Sequence, residues 1–580
     1  MPEGSLGAAV PRFRAPEEDG GVLVWPEWDQ VPTVLAANRT RLAEAGAYDC
    51  QGRRLGELAR QARQELLQEA RKWTDTYHDQ IVGSEGPGVS GGCLAGPPDL
   101  PPGSSPATFP FEPPPIFLAG HQPELFHPGV WLKNLALDRL ARQQEAVAVN
   151  LIVDHDVPHS VQIRTPTGPL PQPAWVEIPL DAPVPGVPYE DRPLRDWAVF
   201  EAFGRRASEA LQPLVADPML REFWPLVLER GRQTGRLGSA LAQARHQWEI
   251  RWGSRTLEVP ISRLCQGEPF LWFVGHLVAR LPWVHKHYNT ILAEYRRVHR
   301  IRNPAQPVPD LRVEEGWLEA PLWIWSAQEP IRRPLYARQQ GNRLLLSDRA
   351  GRQLELPITP EADLARAVPM LLERTGQGLR FRPKALLTTL WARLALGDLF
   401  IHGIGGARYD QITDELIRRW MGLEPPGFLV LSGTLYLPIG QGRATRQELL
   451  YVQRQLRELA WHPERFLDCR GNPPADRLPT EGLPAAKVLE PERLVAEKWR
   501  WIQTPVTPET ARPRFLAIRR INQALQAWLI EEREKLLAQQ AALQAQLQAD
   551  RILRRRDWPF CYYPEKSLQE FFARTLERMP

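Results

Sequence analysis

The stretch FLAGHQPELFHPGVWLKN, Phe117–Asn134, decides how this chain is read. With Ile116 it opens on IFLA, a short apolar run bounded by proline before and Gly120 after, the pattern of a strand buried on both faces. A polar loop follows, and then VWLKNLALDRLARQQ (130–144) has the periodicity of an amphipathic helix. AVAVNLIV (146–153) is a second buried strand, ending abruptly in Asp154, His155 and Asp156. Strand, loop, helix and strand in this order make a βαβ unit, for which a right-handed crossover is expected. Both polar loops fall at C-terminal strand ends, the edge where open α/β sheets bind ligands.

Working outward, residues 1–20 read as a tail and 53–77 as a helix with Leu55, Leu58, Ala62, Leu66, Trp73 and Tyr77 on one stripe. Residues 83–115, rich in glycine and proline, are a linker or a long surface excursion. The expected organisation is a tail and amphipathic helix (1–82), the linker (83–115), an α/β core with α and β insertions (116–440), and a helical arm with a C-terminal segment (441–580). SVQIRT and AWVEIPL are short strands, 194–251 is helical, and the helix that follows is interrupted near Pro282. PLWIWSA and RPLYARQQGNRLLLSDRAGRQLELPI are antiparallel strands with turns at Gly341-Asn342 and Gly351. The α/β pattern returns in PKALLTTLWARLAL (383–396, helix), LFIHGI (399–404, strand) and DQITDELIRRWM (410–421, helix). The sheet is therefore built from segments far apart in the chain. A long helix is expected over 508–556, where Leu529, Leu536 and Leu543 recur at sevens. Its partner is another helix of the same chain (445–460, 488–502 or 53–77) or, alternatively, a second copy in a homodimer.

Composition bounds the function classes. Hydrophobic residues at 43% and charged residues at 24% are ordinary for a soluble globular protein. A net charge of +4 is too balanced to imply a nucleic-acid partner, and the basic patch Arg551–Arg556 reads as a solvated helix end. Cys50, Cys93, Cys265, Cys469 and Cys561 form no C-x-x-C pair, which fits a reducing cytoplasm better than a zinc ribbon or a disulfide scaffold. The N-terminus is acidic where a signal peptide needs an apolar core, and no run approaches the roughly 18 apolar residues of a membrane span. The expectation is a soluble cytoplasmic protein that acts on small molecules.

Three clusters carry chemistry. In the first, Gly120 permits a sharp turn out of the strand, with Gln122 and Pro123 in the loop, and Gly129 lets a helix begin with free amides. That helix start suits a phosphate or carboxylate, and Lys133 one turn in adds a positive charge. His121 and His127 are proton-transfer groups or phosphate donors, or else bind backbone with Gln122. In the second cluster, Asp154, His155 and Asp156 could bind a metal, hold an amine or act as general base, or else the aspartates cap the following backbone. As a metal site the signal is weak, because no further ligand is placed by spacing, so the need for a metal stays open. In the third, Gly403, Gly405 and Gly406 lie between a strand and a helix and resemble a ligand-cradling loop, although the spacing is neither that of a Walker loop nor of a dinucleotide fold. Tyr409 and Asp410 reach the ligand or cap the helix, and His402 is read as facing the core.

These clusters, in this order, resemble the bacillithiol synthase family (BshC), the cysteine-adding enzymes of bacillithiol biosynthesis. That family carries G-Q-Q-P-x-L-F-x-G-P followed by a lysine, then E-D-H-D, and later I-G-G-P-G-E. Here the counterparts are GHQPELFHPG with Lys133, VDHD, and IGGARYD. The resemblance implies a Rossmann-like core with connective insertions and a C-terminal helical coiled coil. The departures are His121 for glutamine, Val153 for glutamate, and Ala407, Arg408 and Tyr409 in place of P-G-E, with Asp410 the nearest carboxylate. HQPELFHPGVWLKN is also similar to the opening motif of WbqC-like proteins, associated with sugar modification of surface polysaccharides.

What the resemblance implies is a ligase joining cysteine, or another small amino acid, to an amine such as an amino sugar. In that scheme Asp154, His155 and Asp156 hold or deprotonate the amine. Gly129 and the Gly405-Gly406 loop bind carboxylate or phosphate, while Lys133 and His121 stabilise developing negative charge. ATP enters on the resemblance alone. The alternatives are an acyl- or formimidoyl-type transferase on a nucleotide-linked amino sugar, and a non-catalytic ligand-binding scaffold.

Overall fold

Ile116–Ala119 carries no polar side chain and is buried throughout, because it lies inside a sheet with a strand on either side. The structure is a computed structural model that describes residues 13–78, 114–170, 173–439, 444–467 and 490–579. The linker expected over 83–115 lies, up to residue 113, outside the described residues. In chain order the strands are β1 (Val22–Trp25), β2 (Ile116–His121), β3 (Val147–Ile152), β4 (Gln162–Thr167), β5 (Ala174–Pro179), β6 (Leu257–Pro260) and β7 (Val313–Glu314). They continue with β8 (Trp317–Ser326), β9 (Arg333–Gln340), β10 (Arg343–Ser347), β11 (Gln353–Leu356), β12 (Leu379–Pro383), β13 (Leu399–His402) and β14 (Leu429–Gly433).

The protein is mixed α/β. Its first sheet runs β1-β14-β13-β2-β3-β6, parallel throughout except for β1, which is antiparallel to β14. In chain order the parallel strands step outward from β2 through β3 to β6 on one side, and through β13 to β14 on the other. The order thus reverses between β2 and β13, and the C-terminal ends of those two strands are where an α/β sheet opens a binding crevice. The helix Pro128–Gln143 joins β2 to β3 and packs on both, and the helix Ile404–Leu416 joins β13 to β14. The second sheet, β11-β10-β9-β8-β12 with β7 beside β8, is antiparallel, with Gly341 and Gly351 at positive φ in its turns. β4 and β5 form a separate two-stranded sheet.

Two compact units divide the chain: Met1–Thr165 with Val176–Pro438 and Arg556–Pro580, and Pro166–Trp175 with Ile439–Arg555. Residues 1–82, set apart in the sequence reading, contribute to the first unit. β1 is an edge of its sheet, and helix Leu55–His78 lays Leu55, Leu58, Ala62 and Leu66 into the same core as Ile116 and Leu118. An apolar helical stripe needs a partner, and the sheet supplies it. The interruption near Pro282 falls between helices Glu268–Ala279 and Leu281–His299, with the proline in the first turn of the second, where its missing N–H leaves no gap.

In the second unit the helix expected over 508–556 is two helices, Ala511–Gln526 and Ile530–Leu553, with Leu529 capping the latter. Leu529, Leu536 and Leu543 cluster with Val452 and Leu459 of the helix Arg446–Trp461. Among the described residues no helix is long and apolar enough to cross a membrane.

Candidate functional site

Strand β2 ends in the loop that carries the first motif. Lys133 is only 2% exposed, and its Nζ donates to the Gly120 carbonyl at 3.1 Å. Burial, and then the Arg245 guanidinium, pull its ammonium down to about 8. Its Cδ and Cε lie 4.0 Å from where a Cβ on Gly403 would stand, so it bridges the ends of β2 and β13, at the reversal. His121 donates from Nδ1 to the Gln122 carbonyl at 3.1 Å and meets Phe126 edge-on. Burial and the neighbouring Lys133 push its pKa down to about 3, so the ring is neutral. Pro123 packs against helix Leu237–Arg251, where a Cβ on Gly238 would come within 3.1 Å of its Cγ.

Gly129 is used otherwise than expected, and His127 takes up backbone, one of the two roles expected of it. The amide of Gly129 is not free for a ligand: it donates to His127 Nδ1 at 3.1 Å, and His127 is the helix cap. A Cβ at Gly129 would stand 2.0 Å from the Gly433 carbonyl, so glycine there lets the helix press onto β14.

At the end of β3 the two aspartates part ways. Asp154 accepts from the backbone and hydroxyl of Ser262, tying β3 to the turn after β6. Burial and the nearby Glu190 raise its carboxyl to about 7. Asp156 is a third exposed, accepting from Arg332 at 2.7 Å and from Gln122 at 2.9 Å. Burial raises its carboxyl, but His155 and Arg332 outweigh that and hold it below the usual value. His155 is 2% exposed; burial first lowers its pKa, to about 4. It bonds the Pro383 backbone while its Nδ1 has no partner. A neutral ring with an unused nitrogen beside a carboxylate suits an N–H or O–H donor.

At the end of β13 the glycine loop is absent. The helix begins at Ile404, directly after Gly403, so Gly405 and Gly406 form its first turn. Gly403 is an extended cap with no side-chain hydrogen bond, which leaves the first amides of this helix uncapped. Open space surrounds Gly405, but a Cβ on Gly406 would stand 2.6 Å from His402 Nδ1. Gly406 therefore makes room for the His402 ring. Asp410, expected at the ligand, is fully buried and accepts from Arg393 at 2.9 Å, with His402 Nε2 at 2.6 Å. Burial raises its carboxyl; His402 and Arg393 more than offset this and hold it well below the carboxylate range. Tyr409 packs against the apolar core. The helix thus turns Asp410 inward, while Tyr409 stays half-buried.

The sequence reading missed a buried polar layer beneath Lys133. Arg245 donates to Glu249 at 2.6 Å and also binds Glu258; Trp131 and Asn134 donate to Glu249, and Asn150 to Glu258. Arg332, Glu190 and Arg382 were missed as well, the last two forming a two-point ion pair at 2.8 and 2.7 Å. One signal was present: QARHQWE (243–249) lies in a helix buried all round, yet it is polar on every face, which an ordinary surface helix is not.

The site thus has two poles. A buried cation and an open helix start occupy the ends of β2 and β13, and a neutral imidazole with a carboxylate occupies the end of β3. Among the described residues no three His, Cys, Asp or Glu side chains converge as metal ligands. No protein-family model matches the chain, and no curated protein shows significant similarity to it.

Proposed function

We propose that this protein is a ligase, related to bacillithiol synthases, that joins the carboxyl group of cysteine or another small amino acid to an amine such as an amino sugar. The observation that carries the reading is Lys133: a lysine 2% exposed, bonded to a backbone carbonyl and to no described carboxylate, beside the uncapped start of helix Ile404–Leu416. A buried charge without a counter-ion is costly, and an anionic substrate group would supply the missing charge. In this reading the sheet is Rossmann-like, with strand order reversing at the site, and helices Arg446–Trp461 and Ile530–Leu553 form a coiled-coil arm.

The donor carboxylate, or a phosphate attached to it, lies against Lys133 and the helix start. The acceptor amine lies toward Asp156 and the free Nδ1 of His155, which accept its N–H groups. Attack by the amine forms the amide bond and releases a proton and the group that activated the carboxyl. Activation by ATP rests on the sequence resemblance, and the open helix start with Lys133 is the part of the site a phosphate would fit. Asp154, held by Ser262, positions the strand end. The protein is placed in the cytoplasm, where the thiol of a cysteine substrate stays reduced.

Mass spectrometry of purified protein with cysteine, ATP and glucosaminyl malate, with nucleotides quantified in the same samples, tests this reading. A cysteinyl amide formed with matching nucleotide cleavage supports it. Absence of any amide across a panel of amino acids and amino sugars overturns it.

A further inference from the structure

The basic patch Arg551–Arg556 reads from sequence as a solvated helix end, but the helix stops at Leu553, and Arg556 is partly buried against the first sheet. Its neighbours fix it there: the Phe560 amide donates to the Phe126 carbonyl at 2.8 Å, and the Phe560 ring lies on Trp131 at 4.3 Å. The Tyr563 hydroxyl donates to the Leu435 carbonyl at 2.8 Å. Arg556 Nη2 donates to the Ser432 hydroxyl at 2.8 Å, at the C-terminal end of β14. No described carboxylate lies within ion-pair distance of it, although the charge of Asp557 is felt nearby. Arg556 therefore stands on the same edge of the sheet as Lys133, with β13 and the open start of helix Ile404–Leu416 between their strands.

His127 caps the helix that carries Lys133, at Gly129, which abuts the Gly433 carbonyl at the end of β14, and it feels the charge of both cations. Burial, then the charge of Arg556 and that of Lys133, hold its ring neutral against the opposing pull of Asp557. Two cations with no ion-paired carboxylate among the described residues, a neutral imidazole that feels both, and an uncapped helix start concentrate positive charge at this edge of the sheet.

We propose that Arg556 is a substrate-binding residue, and that with Lys133 and the helix start it takes a doubly charged oxyanion, either a phosphate group or a pair of carboxylates. The inference rests on the reading of Lys133 as the anion site and extends it by naming the charge class and a second cation. Arginine suits the task, since its fork can hold Ser432 with one arm and the anion with the other.

Calorimetric titration of the full chain with inorganic phosphate, malonate and acetate tests this, using wild type, Arg556→Gln, Arg556→Lys and Lys133→Met. Wild type is expected to bind phosphate or malonate more tightly than acetate, and which of the two prevails identifies the source of the charge. Arg556→Gln should weaken the preferred dianion at least tenfold while acetate binding is unchanged, and Arg556→Lys should lie between. Equal dianion affinity in Arg556→Gln and wild type overturns the role of Arg556. Dianion and acetate binding that survive in Lys133→Met overturn the underlying anion site instead. Should Arg556→Gln melt far below wild type, the lysine variant decides: a loss of dianion but not acetate affinity sustains the inference, and unchanged affinity for both ends it.

Discussion

Lys133 shows how one residue can set the chemistry of a sheet edge. Its ammonium is pulled down to about 8 by burial and by Arg245, so it is charged below that pH and neutral above it. Between about 8 and the usual lysine value near 10.4 the unfolded chain holds the extra proton, so stability rises with pH in that window. Anion binding runs the other way. We expect affinity for the anion to fall about tenfold per pH unit above about pH 8, and titrations at neutral and alkaline pH would show it; a flat profile removes Lys133 from the site. The paired glycines give a second contrast. Gly406→Ala should lower stability by about 1–3 kcal/mol because the methyl group meets His402. Gly405→Ala, facing open space, should be neutral or stabilising by up to about 1 kcal/mol. Thermal melts of the two variants separate a steric role from a shared ligand-cradling role, which would leave both folded and both inactive.

At the scale of elements, the helix Leu237–Arg251 is the unexpected one. Residues Gln243, Arg245, His246, Gln247 and Glu249 are all buried, so it is a polar helix in an interior position. It is stable there because its charges are paired and bonded: Arg245 between Glu249 and Glu258, and His246 donating to Thr256 while accepting from Tyr77. Glu249→Gln leaves Arg245 short of one charge and should cost about 3 kcal/mol, read from urea unfolding. An unchanged midpoint would mean that Glu258 alone satisfies the guanidinium. The same layer lies next to Lys133, so this variant should also disturb the proposed anion site through Asn134 and Trp131, which both donate to Glu249. Helix Ile404–Leu416 makes the opposite point. Its cap is Gly403, which has no side chain to offer, so the first amides carry no side-chain partner.

At the scale of the molecule, the first unit is assembled from three separated stretches of chain. The last, after residue 555, supplies Trp558, Phe560, Tyr562 and Tyr563, all buried, and Phe571, which lies over Gly433. A chain ending at residue 555 should therefore lose the cooperative melt and the near-ultraviolet circular dichroism of its packed aromatics, because β14 and Trp131 would be uncovered. A truncated protein that melts like the full chain would show that this segment is an appendage. If the segment also carries Arg556 into the site, truncation removes binding along with stability, which is why single substitutions are the better test of function.

The sequence by itself determined β2, the helix after it and β3, since an apolar run between proline and glycine and a change of periodicity are local signals. It also marked Lys133 and Asp154–Asp156 as strand-end residues, and the stripe of helix Leu55–His78. It did not determine which strands are neighbours, that Asp410 turns inward to Arg393, that Gly129 serves packing on β14, or that Arg556 stands beside Ser432. Those facts depend on contacts between residues distant in the chain. Such contacts leave no period in the sequence, and only the closing of the sheet, which brings β13 beside β2 and β14 beside β13, decides which charges meet.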